Sequence, residues 1–160
     1  MSTSNGSSIK VLVVCLGNIC RSPMGEAVLQ DMAKKRGLDI VVDSCGTAGY
    51  HVGEDPDDRT VAVCRKHKVP INSQARQLAT SDFTEFTHIL AADESNLRNI
   101  LRCKPSNSTA DIRLWGSYLD NKPILDPYYG GLDGFERIFQ QCARLSDAFL
   151  NDVTGDAEKK

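Results

Sequence analysis

The chain has 160 residues, of which 41% are hydrophobic and 25% charged, with a formal net charge of −2. That length fits one domain, and the composition supplies a core that needs neither disulfides nor a metal to hold it. The faintly acidic balance, with no basic stripe, excludes general nucleic-acid binding, so any anion must be caught by a local device.

Residues 1–8 are small and polar, with no apolar centre, and read as a disordered tail rather than a secretory signal. One folded domain is expected over 9–155, followed by a polar tail over 156–160. The longest apolar run, Val11 to Leu16, is too short to span a membrane. Cys15, Cys20, Cys45, Cys64, Cys103 and Cys142 form no C-x-x-C pair and have no histidines at zinc-finger spacing. They read as free thiols of a cytoplasmic protein, with no metal and no cofactor implied.

Ile9 and Val11 to Val14 form an apolar strand of the kind buried on both faces of a parallel sheet. A helix follows from about Ser22 to Arg36, with Met24, Ala27, Val28 and Met32 on one face and Gly37 just past its end. Ile40 to Val42 is a second strand, Pro56 opens a helix running to about Lys66, and Asp82 to Phe86 makes one short helical turn. His88 to Ala92 is a third strand, and Asp93 caps a helix carrying Leu97, Ile100 and Leu101. Ile112 to Trp115 is the fourth strand. The last helix repeats Phe135, Ile138, Phe139, Cys142, Leu145 and Phe149 at spacings of three and four. Alternating strands and helices predict a three-layer α/β domain, a four-stranded parallel sheet covered on both faces. Ligands of such sheets bind beyond the carboxyl ends of the strands, which points to the loop after the first strand.

That loop reads Cys15-Leu16-Gly17-Asn18-Ile19-Cys20-Arg21-Ser22, with Pro23 next. Successive backbone N–H groups at a helix N-terminus make a concave anion site, and the same field favours a thiolate sulfur at Cys15. Gly17 and Asn18 are residue types that tolerate the positive φ of a tight cradle. Arg21 offers a planar fork for two phosphoryl oxygens. Ser22 is spaced to hydrogen-bond the Cys15 sulfur as it leaves. Cys20 is close enough to form a protective, reversible disulfide with Cys15 under oxidation, which makes the site redox-sensitive.

From Cys15 to Pro23 the chain resembles the low-molecular-weight protein tyrosine phosphatases. The likeness continues at Val42-Asp43-Ser44, Ala75-Arg76-Gln77, Asp93 to Arg98 and Asp126-Pro127-Tyr128-Tyr129-Gly130. The resemblance implies hydrolysis of phosphotyrosine, and of other aryl or acyl phosphate monoesters, through a cysteinyl-phosphate intermediate. It implies Cys15, Arg21 and Asp126 as catalytic residues, and Leu16, Gly17, Asn18, Ile19, Cys20 and Ser22 as the phosphate loop. Asn18, Ser22 and Ser44 resemble the polar network that supports that loop, and Tyr50, Tyr128 and Tyr129 resemble aromatic substrate walls. Asp126 is the candidate general acid for a phenolic leaving group whose free pKa is about 10. Asp93 reads as a helix cap and little more, and His51, His67 and His88 are left without a role. The chain departs from the family where many members carry a histidine two residues before Ala75-Arg76; Ser73 stands there, so Ser73 or a water must replace that contact.

Implied partners are phosphotyrosine proteins or small aryl phosphates, with inorganic phosphate as product and inhibitor, and a monomer or weak dimer is expected. Arsenate reduction would need further cysteines after the third strand, where Ala91 to Ser95 has none. Phosphoarginine hydrolysis goes with a small threonine inside the loop, where this chain has the bulkier Ile19. A module that merely binds phosphate would need neither a thiolate nor an acid.

Overall fold

The structure is a computed structural model that describes residues 9–127 and 131–155. Four strands, β1 (Lys10–Cys15), β2 (Val41–Gly46), β3 (His88–Ala91) and β4 (Asp111–Leu114), pair in the order β2-β1-β3-β4, all parallel. The helices are α1 (Arg21–Lys35), α2 (Asp58–Lys66), the short α3 (Asp82–Glu85), α4 (Glu94–Cys103) and α5 (Gly131–Thr154); a 3-10 turn covers Trp115–Tyr118.

β1 is central, and its side chains alternate between two cores as strand pleating requires. Val11 and Val13 join Met24, Leu29, Val63, Phe135, Leu145 and Phe149, the core beneath α1, α2 and α5. Leu12 and Val14 join Phe83, Phe86, Ile89 and Ile100, the core beneath α3 and α4. All four β1 residues from Val11 to Val14 are fully buried, which explains their uninterrupted apolar run.

Several boundaries differ from the sequence reading. β2 runs on to Gly46 because it pairs with β1 along its whole length, from Lys10 opposite Val41 to Cys15 opposite Gly46. That pairing draws Asp43, Ser44 and Cys45 into a strand despite their modest strand preference. β1 begins at Lys10 rather than Ile9, β3 ends at Ala91, and β4 spans Asp111–Leu114, with Trp115 opening the 3-10 turn. α2 starts at Asp58, two residues past Pro56, because the Asp57 side chain accepts from Arg59 N–H at 2.8 Å and caps it. Leu101 is exposed, so α4 turns Ile100, not Leu101, into the core. The repeat on α5 is buried as its spacing predicts.

Cys15 and Gly46, the last residues of two neighbouring strands, stand side by side at the carboxyl edge. The loop chain then folds back over β2: Thr47 N–H donates to Cys15 O at 2.9 Å and Ala48 N–H to Leu16 O at 3.0 Å. A Cβ on Gly46 would lie 2.6 Å from Leu16 O, so only glycine lets the loop rest there. On its far side the loop is tied to α2, where Asp57 N–H donates to Ile19 O at 2.8 Å.

Candidate active site

The loop joins the end of β1 to the first turn of α1, so its geometry follows from two buried elements. Asn18 is its pivot. It adopts φ 60°, the left-handed conformation that asparagine tolerates better than most residues, and it is buried. Gly17 does not share that conformation. Its lack of a side chain serves a different end: a Cβ there would come within 3.0 Å of His51 Cδ2 and push that ring aside.

The hydrogen bonds around Asn18 set the order of donors and acceptors behind the loop. Asn18 Oδ1 accepts from Arg76 N–H at 3.0 Å, so Nδ2 must be the end that faces Ser22 Oγ at 2.7 Å and Ser44 Oγ at 3.0 Å. Ser44 Oγ accepts from Asn18 and donates to Glu26 Oε1 at 2.6 Å. Ser22 Oγ likewise accepts from Asn18, which leaves its own proton for Cys15 Sγ at 3.0 Å or for Cys45 O at 3.4 Å. The sulfur is the nearer acceptor. Cys15 Sγ also accepts from Asn18 N–H at 3.3 Å. The nucleophile-type atom thus sits among donors in a buried shell, the arrangement that suits a sulfur carrying negative charge.

Arg76 holds Asn18 through its backbone while its guanidinium bridges Asp43 at 3.1 Å and Asp82 at 3.0 Å. Ser73 makes no hydrogen bond with the loop, and Ser44 Oγ is held instead by Glu26, eighteen positions earlier. Burial pushes the Glu26 carboxyl up to about 7.

Arg21 is 4% exposed. Its Nη1 donates to Asp93 Oδ2 at 2.7 Å and to Ile124 O at 3.0 Å, and its Nη2 lies 4.0 Å from Asp126 Oδ2. Burial opposes its charge, but the neighbouring Cys15 sulfur and Asp93 carboxylate raise its pKa above the ordinary arginine value. Asp93 therefore does two jobs: Oδ1 caps α4 by accepting from Asn96 N–H at 2.8 Å, and Oδ2 aims the guanidinium. The reading of Asp93 as a cap alone is corrected here.

Above the loop opens a cleft of about 280 Å³, floored by Cys15, Leu16, Gly17, Ile19, Cys20 and Arg21 and walled by Tyr50, His51 and Asp126. Tyr50 is 74% exposed and the Asp126 side chain 51% exposed, so both stand at the mouth. Asn18, Ser22 and Ser44 lie behind the floor. Tyr128 and Tyr129 lie outside the described residues. The Cys20 thiol is pushed up to about 12, first by burial and then by the nearby Asp57 and Asp126 carboxylates, so it remains a thiol beside Cys15. Among the described residues no three His, Cys, Asp or Glu side chains converge as metal ligands would.

His51 joins the cleft although the sequence left it idle; its Nδ1 lies 3.1 Å from Glu54 Oε1. The other two histidines are elsewhere: His67 pairs with Glu136 at 2.8 Å and stacks on Phe139, and His88 packs edge-on against Phe149.

A parallel α/β sheet whose first strand delivers a cysteine and an arginine into one anion cradle, faced by a carboxyl group, defines a cysteine-centred phosphate site. The chain belongs to the low molecular weight phosphotyrosine protein phosphatase family, whose model matches residues 10–159. It is 48% identical over 152 residues to the low molecular weight phosphotyrosine protein phosphatase of Schizosaccharomyces pombe, covering 91% of this chain and 97% of that one. A protein tyrosine phosphatase from Entamoeba histolytica superposes with a TM-score of 0.87 at 32% identity, covering 92% and 97% of the two chains. A Drosophila arginine phosphatase superposes with a TM-score of 0.86 at 36% identity, covering 91% and 98%.

Proposed function

We propose that this chain is a phosphotyrosine phosphatase in which Cys15 is the nucleophile, Arg21 the phosphoryl clamp and Asp126 the general acid. The observation that carries the reading is the buried shell of donors around Cys15 Sγ, the Asn18 N–H at 3.3 Å and the Ser22 hydroxyl at 3.0 Å, whose oxygen already accepts from Asn18. A thiol that only packed in the core would need no such donor.

In the first step Cys15 Sγ attacks phosphorus, the S–P bond forms, and the P–O bond to the phenol breaks. The phenolic oxygen takes the proton of Asp126. Arg21 and the loop N–H groups hold the equatorial oxygens as charge moves across them. In the second step Asp126 removes a proton from water, the water oxygen bonds to phosphorus, and the S–P bond breaks. Ser22 then stabilises the departing Cys15 thiolate, and inorganic phosphate leaves as a product that also competes for the cradle. Tyr50 flanks the aryl ring at the cleft mouth, with the aromatic pair Tyr128 and Tyr129 proposed as the further wall.

The cleft serves phosphotyrosine proteins and small aryl phosphates, in a cytoplasmic protein that acts as a monomer or weak dimer. The arginine phosphatase among the structural neighbours favours one second reading, hydrolysis of phosphoarginine. Against it stands Ile19, which lines the cleft and fills space beside the phosphoryl group. Turnover of phosphotyrosine, phosphoserine and phosphoarginine peptides, with arsenate reduction run in parallel, tests both. The phosphotyrosine peptide should be hydrolysed at least about a hundredfold faster than the others, a difference of roughly 2.7 kcal/mol in barrier. Faster release from phosphoarginine would overturn the assignment.

A further inference from the structure

A second cavity, of about 240 Å³, lies between α1 and the segment 70–73 and shares no lining residue with the catalytic cleft. Its walls are largely hydrocarbon, from Pro23, Ala27, Pro70 and Ile71, and a carboxyl group, that of Glu26, opens into it. Among the described residues only one oxygen of that carboxyl is engaged: Oε1 accepts from Ser44 Oγ, while Oε2 meets no donor there. Ser73, which also lines the cavity, makes no hydrogen bond with its side chain.

Among the described residues no cation forms an ion pair with Glu26, although the Arg76 charge favours its carboxylate from a distance. Segment 70–73 brings no charged residue. Asp43 from β2 adds like charge, and Arg76 is already held by Asp43 and Asp82. On α1, Asp31 pairs with Lys35 at 2.9 Å, and Lys34 stands exposed at the rim. A half-buried carboxyl with no direct ion pair is costly, and burial, outweighing the Ser44 hydrogen bond and the Arg76 charge, shifts Glu26 toward its neutral form.

We propose that this cavity is a second ligand site, for small flat organic cations with an N–H fork, and that occupancy is felt at the catalytic loop through Glu26. An amidinium suits both halves of it. Its nitrogens can donate to Oε2 and to the remaining lone pair of Oε1, and its ring can lie against the proline and aliphatic walls. The volume, below the roughly 300 Å³ at which drug-sized pockets begin, limits the ligand to one or two rings.

The coupling runs along bonds already described: Glu26 to Ser44, Ser44 to Asn18, Asn18 to Ser22, and Ser22 to Cys15. A neutral Glu26 that donates to Ser44 takes away the acceptor of the Ser44 hydroxyl hydrogen, which must then turn within the shell that Asn18 Nδ2 already fills as a donor. A bound cation holds Glu26 as carboxylate, which keeps Ser44 donating away from the loop and accepting from Asn18. The site should therefore raise activity where Glu26 is otherwise protonated, below about pH 7.

Benzamidine, which stays charged throughout, is the probe. Titrated into the full chain and followed by amide chemical shifts, it should bind with a Kd on the order of 1 mM at pH 8. Its shifts should map to α1 and residues 70–73 and persist with phosphate in the cleft. Binding should weaken by roughly thirty-fold at pH 5.5, as a carboxyl titrating near 7 demands. Glu26→Gln should abolish binding, and Ser73→Phe, which fills the cavity and leaves Glu26 in place, should block it too. At pH 6 saturating benzamidine should raise kcat/KM by about fivefold in the wild type and not in Ser73→Phe, each against its own basal rate. Shifts confined to the cleft and lost with phosphate, equal binding by Glu26→Gln, or binding with no change in kcat/KM at pH 6 would each overturn the proposal. The shift titration needs no turnover, so a failure of the phosphatase assignment and a failure of this site are told apart.

Discussion

The two sides of the catalytic loop are built in opposite ways. Behind it, Asn18, Ser22, Ser44 and Arg76 are tied into one hydrogen-bonded set whose donors and acceptors have a single consistent order. In front of it, Tyr50 and Asp126 stand at the mouth, more than half exposed, and come from segments with no regular secondary structure. Anion recognition is thus pre-organised by the buried side, where a displaced atom disturbs several partners at once. In the proposed reaction, leaving-group chemistry and substrate choice fall to the open side, where residues can adjust to what arrives. The comparison predicts that damage behind the loop alters the sulfur and the phosphate cradle for every substrate. Damage in front should depend on the leaving group.

The largest effect tests the loop itself. Mild peroxide should inactivate the protein completely and reversibly by joining Cys15 to Cys20, whose thiol is buried in the same loop. Peptide mapping should find that bridge, and Cys20→Ser should instead lose activity irreversibly. Cys15 joined to Cys64, or to nothing, would remove the protective role.

Next comes the open side. Asp126→Asn should cost about 10² to 10⁴ in phosphoenzyme formation from phosphotyrosine and far less from an aryl phosphate with a strongly acidic phenol. Single-turnover rates over a series of leaving groups measure this. Equal losses for all of them would make Asp126 a structural residue and erase the contrast between the two sides.

The smallest effect sharpens the comparison from behind. Ser22→Ala removes the donor to Cys15 Sγ and leaves the cradle N–H groups in place. Breakdown of the phosphoenzyme should slow by about tenfold to a hundredfold, the scale of one charge-assisted hydrogen bond lost at about 1.5–3 kcal/mol. The loss should be the same for every leaving group, because the phenol has gone before that step. A loss that varies with the leaving group would place Ser22 in the first step instead.

The loop was legible in the sequence because its chemistry is contiguous: one strand end, one turn and one helix start carry Cys15, Asn18, Arg21 and Ser22 together. The buried run of β1 and the buried repeat of α5 were legible for the same reason, each being a pattern contained within one element. What stayed hidden depends on distant contacts. Asp93 looks like any helix cap until Arg21, seventy-two positions earlier, is seen to use its second oxygen. Glu26 looks like a surface residue on a charged helix until Ser44 arrives from β2. His51 carries no motif, and only the missing Cβ of Gly17 hints that something rests on the loop. The length of β2 was hidden because Asp43 to Gly46 become strand by pairing with β1, not by their own preference.

The central claim is that phosphate passes through the Cys15 sulfur, and rapid quenching of a single turnover tests it most directly. Wild-type protein mixed with labelled phosphotyrosine peptide and quenched in acid should carry label on Cys15. Cys15→Ser should turn over nothing while still binding inorganic phosphate in the intact cradle. Label on His51 or any other histidine, or measurable turnover by Cys15→Ser, would contradict the account.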